Sequence, residues 1–298
     1  MSFVRDHERH RMRGLKLLIG IALLTLSLSA WATQPWLTLP PIPTLPEPAH
    51  SGTAPVNGIQ LWYAEYGHGA PVILLHGGFG HAAWWGLQIP VLAKHHRVIV
   101  VDSRGQGRSS HDPDATMSYR LMASDVLALM DRLRIRKAAI VGWSDGAIIG
   151  LELAIHHPER LTKVFAFGAN TDPSGYHNSS ERSPAQNAVV DEYSRLMRSG
   201  YLKLSPTPND FDAFHRKMNT LWNTKPQISA KQLQGIHVPV WIVDGDHDEI
   251  IKRENVDFQF AQIPGARELI VPGASHFAFL QQPEAMNVAL LRFMAWHP

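Results

Sequence analysis

Short apolar runs recur along the middle of this chain at residues 72–75, 98–101, 138–141 and 164–167, each rich in β-branched or aromatic side chains and free of polar alternation. Runs of four such residues suit strands buried on both faces. Between them lie stretches with apolar residues at helical spacing, such as Leu121, Leu127, Leu129, Met130 and Leu133, and later Ile148, Leu151 and Ile155. Strands that alternate with helices in this way imply a parallel sheet covered on both sides. Ahead of them, Asn57-Gly58 between apolar neighbours predicts a hairpin turn.

The alternation stops after residue 170. From there to Gly235 the chain shows amphipathic patches at 189–197 and 211–222, five prolines, and no long apolar strand run. An insertion of that size predicts a helical cap at about 171–235 over the carboxyl edge of the sheet. The pattern then resumes with strands at 238–243 and 268–271 and helices at 254–263 and 284–296. The expected fold is therefore α/β: a mostly parallel central sheet, helices on both faces and a helical cap, in one domain over residues 53–298.

The ends change the picture of charge and location. Arg5, Arg9, Arg11, Arg13 and Lys16 precede an apolar run at 17–28 and the exit Ala30-Trp31-Ala32. A basic head, a short apolar run and an Ala-x-Ala exit predict an export signal over 1–32, so the expected location is periplasmic or secreted. The alternative is an uncleaved segment that anchors the protein to a membrane. Without the leader the formal charge falls from +2 to −1, which removes the basic balance expected of a nucleic-acid binder. There is no cysteine, so disulfides, thiolate metal sites and a thiol nucleophile are excluded. Six prolines between 35 and 48 forbid helix or central strand there, and residues 33–52 read as an extended linker, with an arm packed on the domain as the other possibility.

Chemistry gathers where apolar runs end. The run 138–141 meets Gly142-Trp143-Ser144-Asp145-Gly146, and a helical pattern follows at once. The chain must reverse sharply there, and flanking glycines remove side chains that would clash, so Ser144 is expected on a strained corner with its hydroxyl exposed. A serine hydroxyl needs a base that is itself oriented by a third group. Asp248 and His276 each fall in the loop after a later apolar run, which places Ser144, Asp248 and His276 in the serine, acid, histidine order of such folds. Asp244 and Asp246 are the alternative acids. His76-Gly77-Gly78-Phe79-Gly80, directly after a strand, offers backbone N–H groups for an oxyanion, expected from Gly78 or Phe79 together with Asp145. His76 itself reads as structural, and the loop 102–109 as a packed turn. Trp84, Trp143, Asp145, Trp222 and Phe277 are the expected substrate-pocket residues. No metal site and no cofactor are expected, since the paired histidines lack ligand spacing with partners.

Residues 56–298 resemble the α/β-hydrolase superfamily. The Gly-Trp-Ser-Asp-Gly corner, the Asp-x-Arg-Gly-x-Gly-x-Ser loop from Asp102 to Ser109 and Gly168-Ala169-Asn170 are similar to the valacyclovirase-like (biphenyl hydrolase-like) branch. That resemblance implies hydrolysis of small-molecule esters, α-amino-acid esters among them, with Asp145 in the place of an acid that holds a substrate ammonium. The expected function is a serine hydrolase that cleaves carboxylic esters through an acyl-enzyme. The same three residues would equally serve lactone opening, carbon–carbon bond hydrolysis or perhydrolysis. A ligand-binding member without catalysis is the reading from another class. The expected partner is a small ester, with no nucleic acid, and no membrane unless the leader stays attached.

Overall fold

The computed structural model describes residues 34–296, so the expected export signal lies outside the described residues. Eight strands form one sheet: β1 (His50–Val56), β2 (Ile59–Tyr66), β3 (Ala70–Leu75), β4 (His96–Val101), β5 (Ala138–Trp143), β6 (Leu161–Phe167), β7 (Val240–Gly245) and β8 (Arg267–Val271). Their spatial order is β1-β2-β4-β3-β5-β6-β7-β8. The first two strands are antiparallel and the rest run parallel. Asn57 and Gly58 both take positive φ, 43° and 80°, as a two-residue hairpin matched to strand twist requires.

Helices α1 (Ile89–Leu92), α2 (Tyr119–Arg132) and α3 (Asp145–His156) connect the parallel strands. Between β6 and β7 come α4 (Pro184–Leu204), α5 (Phe211–Thr224) and the short α6 (Ala230–Gln234); α7 (Arg253–Gln262), α8 (Ala278–Gln281) and α9 (Pro283–Ala295) follow. The period of two in the strands divides the core. Ile73, Leu75 and Ile140 face α2 and α3, while Val72, Leu74, Val141 and Trp143 face the layer holding Ile89, Leu290 and Phe293. None of the described helices is long and apolar enough to cross a membrane.

The proline-rich stretch is not a free linker. Leu39, Ile42 and Leu45 pack against the second core layer, and Trp36 stacks on His247 with ring centroids 4.0 Å apart. Gln281 Nε2 donates to the Thr38 carbonyl at 2.8 Å and Tyr66 to that of Pro46 at 3.0 Å. The four apolar residues recur every third position, and the exposed ones, Thr38, Pro41, Thr44 and Glu47, do the same. Extended proline-rich chain has three residues per turn, so one face of this strap meets the domain and the opposite edge meets water.

Candidate active site

Ser144 stands between the end of β5 and the first residue of α3 with φ 55° and ψ −120°, a positive φ that a non-glycine residue holds only under constraint. The constraint is packing. A Cβ on Gly142 would lie 2.3 Å from the Gly146 carbonyl oxygen, and one on Gly146 would lie 2.2 Å from that of Leu75. Only glycine permits so close a corner, and the corner pushes the serine into a cavity of about 360 Å³ that His276 also lines. The Ser144 side chain keeps its hydroxyl in that cavity beside the unpaired N-terminal amides of α3.

His276, in the loop after β8, has its Nδ1 2.7 Å from Asp248 Oδ2. Both groups are almost wholly buried. Asp248 is fixed from behind, because its Oδ1 accepts from the backbone N–H groups of Ile250 and Ile251, both at 2.7 Å. Burial opposes charge on the imidazole, but the Asp248 carboxylate, with help from Glu249 and Asp145, outweighs it, and the pKa of His276 is raised. Burial likewise opposes ionisation of Asp248, and the His276 charge and hydrogen bond outweigh it, so its pKa is lowered. The other acids of the same loop do different work. Asp246 Oδ1 accepts from the Ala274 N–H at 3.1 Å, and Asp244 is buried at the strand end, where desolvation raises its pKa well above the carboxylate range. Asp248 alone reaches the imidazole nitrogen. Glu249, which sequence did not flag, lies beside it and takes the backbone N–H of His276 at 3.4 Å; burial lifts its pKa to about 7.

The loop after β3 is clamped. His76 Nδ1 pairs with the Gly77 carbonyl at 2.7 Å and Nε2 accepts from the Ser103 N–H at 2.9 Å. Both ring nitrogens are thus assigned, and burial lowers the pKa, so His76 is a neutral brace. The Phe79 N–H donates to Gln106 Oε1 at 2.5 Å, while the carbonyl of the same peptide, that of Gly78, accepts from Tyr193 at 2.5 Å. Phe79, expected as a possible oxyanion donor, is therefore excluded: its N–H is already spent on the loop 102–109. That leaves the Gly78 N–H, and Gly78 lines the cavity with Ser144 and Asp145.

Of the expected pocket residues, the structure places Asp145 and Trp222 at the cavity wall. Trp84, Trp143 and Phe277 are core residues instead, each no more than 1% exposed, and they pack on one another and beneath Tyr193 in the second core layer. The strand period explains it, because Trp143 shares its parity with Ala139 and Val141. Asp145 is buried and spoken for. Its Oδ1 accepts from Tyr119 at 2.8 Å, and both oxygens lie 3.1 Å from Trp222 Nε1. Burial raises its pKa, and those two donors pull it back. Most of the remaining lining comes from the segment between β6 and β7, Tyr176, His177, Arg182, Tyr193, Met197 and His215 among it. Sequence reasoning did not find these. An amphipathic helix shows which of its faces is apolar, but not what its polar face covers.

A serine at a strained corner, a carboxylate-bound imidazole and free backbone donors in one cavity are suited to acyl transfer. A family model described as alpha/beta hydrolase fold matches residues 70–198. The chain is 25% identical over 240 residues to the esterase YbfF of Escherichia coli, covering 76% of this chain and 93% of that one. It is 28% identical over 285 residues to the human serine hydrolase BPHL, covering 90% and 95%. Among solved structures, the enol-lactonase from Burkholderia xenovorans LB400 superposes with a TM-score of 0.65 at 23% identity, covering 82% and 100%. The family match contains the strands and the corner that carry Ser144, and the relatives extend over most of the described domain, so the chain has the α/β-hydrolase fold and is a hydrolytic enzyme.

Proposed function

We propose that the protein hydrolyses carboxylic esters of small molecules with Ser144, His276 and Asp248 as nucleophile, base and orienting acid. The observation that carries this reading is the 2.7 Å contact between His276 Nδ1 and Asp248 Oδ2 at the wall of the cavity that holds Ser144. With Nδ1 tied to the carboxylate, Nε2 is left as the basic nitrogen. It takes the Ser144 proton as the oxygen attacks the ester carbonyl, and Asp248 stabilises the imidazolium that forms. The N–H groups of Gly78 and Asp145 hold the oxyanion, the latter at the positive end of α3. The imidazolium then protonates the leaving alcohol, and a water molecule activated by the same nitrogen releases the acid from Ser144.

The names of the relatives, an esterase and a serine hydrolase, support the same reaction class. Export through residues 1–32 is part of this proposal and is checked by sequencing the mature N-terminus, which should begin near residue 33. For the catalytic assignment, a fluorophosphonate should label Ser144 stoichiometrically. Ser144→Ala should lose both the label and turnover of p-nitrophenyl acetate. Turnover by that variant at the wild-type rate would discard the assignment, and an unlabelled but well-folded wild type would favour a ligand-binding role.

A further inference from the structure

The cavity above Ser144 is electrically uneven. Its one arginine, Arg182, enters from the segment just before α4, beside the Ser183 cap. The guanidinium meets only neutral acceptors among the described residues: Asn187 Oδ1 at 2.9 Å and the carbonyls of His177 at 3.3 Å and Glu249 at 3.5 Å. Three arginines that brace the fold are treated differently. Arg104 binds Asp125 at 2.6 Å, Arg108 binds Asp102 at 2.8 Å and Arg97 binds Glu65 at 2.7 Å. A half-buried guanidinium held by neutral groups through Nε and Nη1 keeps its charge unmatched and leaves Nη2 open to a carboxylate.

The cavity has one carboxylate on its wall, and that group is not free to answer. Asp145 already receives Tyr119 and Trp222. An incoming ammonium would have to compete with both donors for its oxygens. His177, His215 and Asn219 add further polar groups on the wall that can donate hydrogen bonds to an anion. At about 360 Å³ the space lies at the small end of ligand pockets, so an acid on the substrate cannot sit far from the scissile carbonyl.

We propose that the substrate carries a carboxylate close to its ester, and that Arg182 binds that carboxylate. This rests on the ester-hydrolase reading above and narrows it to monoesters of small dicarboxylic acids or small hydroxy acids acylated on their hydroxyl. It also runs against the α-amino-acid esters that resemblance alone implied. The reaction is unchanged: the ester C–O bond breaks, water supplies the new oxygen, and the substrate acid stays ionised on Arg182 throughout.

The test compares three methyl esters by pH-stat: monomethyl glutarate, methyl valerate, and the methyl ester of valine. Wild-type kcat/KM should favour monomethyl glutarate over methyl valerate by roughly tenfold or more, with the ammonium ester slowest. In Arg182→Gln that ratio should collapse towards one, through KM more than kcat, and Arg182→Lys should recover part of it. A wild-type ratio at or below one, or a ratio unchanged in Arg182→Gln, overturns the proposal. A readout independent of turnover comes from Ser144→Ala. Glutarate should raise its Tm, and adding Arg182→Gln should abolish the shift; a shift that survives overturns the proposal. Failure of the ester reading looks different, because the fluorophosphonate would then leave Ser144 unlabelled while glutarate still bound.

Discussion

Two helices flank the cavity and are built on opposite terms. In α3, which begins at the serine corner, ten of twelve residues are buried, so nearly every position is fixed by what it touches. In α4, which supplies the cap wall, three of twenty-one are buried, Val189, Met197 and Tyr201, so most positions answer to solvent or to a ligand. The serine corner opens the element that cannot change, and part of the cavity wall sits on the one that can. A hydrolase built so can keep its chemistry while its substrate varies.

The sharpest way to break that division is to strike the rim and see whether chemistry alone is lost. Asp248→Asn should lower kcat by about 10⁴-fold while the fold persists, because the imidazole loses the group that orients it. The pH profile gives the sign. His276 acts as a base only when neutral, and its pKa is raised in the wild type, so the acid limb of kcat/KM should lie above the ordinary histidine value. Without the carboxylate, burial dominates and the limb should move to lower pH. A limb that stays in place would show that Asp248 does not govern the imidazole.

Next in size is the corner itself. Gly146→Ala puts a methyl group against the Leu75 carbonyl oxygen at 2.2 Å and should cost about 3 kcal/mol of stability or more in denaturant unfolding. Arg195→Ala, on an exposed turn of α4 where the arginine pairs with Glu192, should cost less than about 0.5 kcal/mol. Equal costs would erase the contrast between the helices. A smaller effect sharpens it. Tyr193, from the cap, holds the Gly78 carbonyl, so Tyr193→Phe should lower kcat roughly tenfold on a neutral ester with little change in KM. A pure KM effect would instead assign Tyr193 to binding. Trp36→Ala follows; it removes the stack on His247 and should cost about 1 kcal/mol, read as a Tm drop of a few degrees with activity intact.

The same contrast decides what could be read in advance. The sheet, the hairpin, the serine corner and the loops bearing Asp248 and His276 are legible because backbone period and glycine requirement write them into adjacent residues. Arg182, His177 and Tyr193 are not, since their place on the cavity wall arises only when the segment between β6 and β7 folds back over a strand end distant in sequence. The aromatic residues near Ser144 mislead for a reason visible in the sequence: Trp143 is one residue from the serine but points with Val141 into the opposite layer. The strap was legible too. Trp36, Leu39, Ile42 and Leu45 recur with the period of extended proline-rich chain.

That strap sets an order of events in the making of the chain. Thr38 leaves the exit tunnel early, yet its partner Gln281 is 243 residues away, and the His247 ring that Trp36 covers also belongs to the final third of the chain. The Trp36 end of the strap must therefore wait, uncovered, for a surface made more than two hundred residues later, while Pro46 finds Tyr66 close by in the chain. Its prolines suit that wait, because a stretch unable to join a β-ladder offers little to aggregating neighbours until its own binding site has been made.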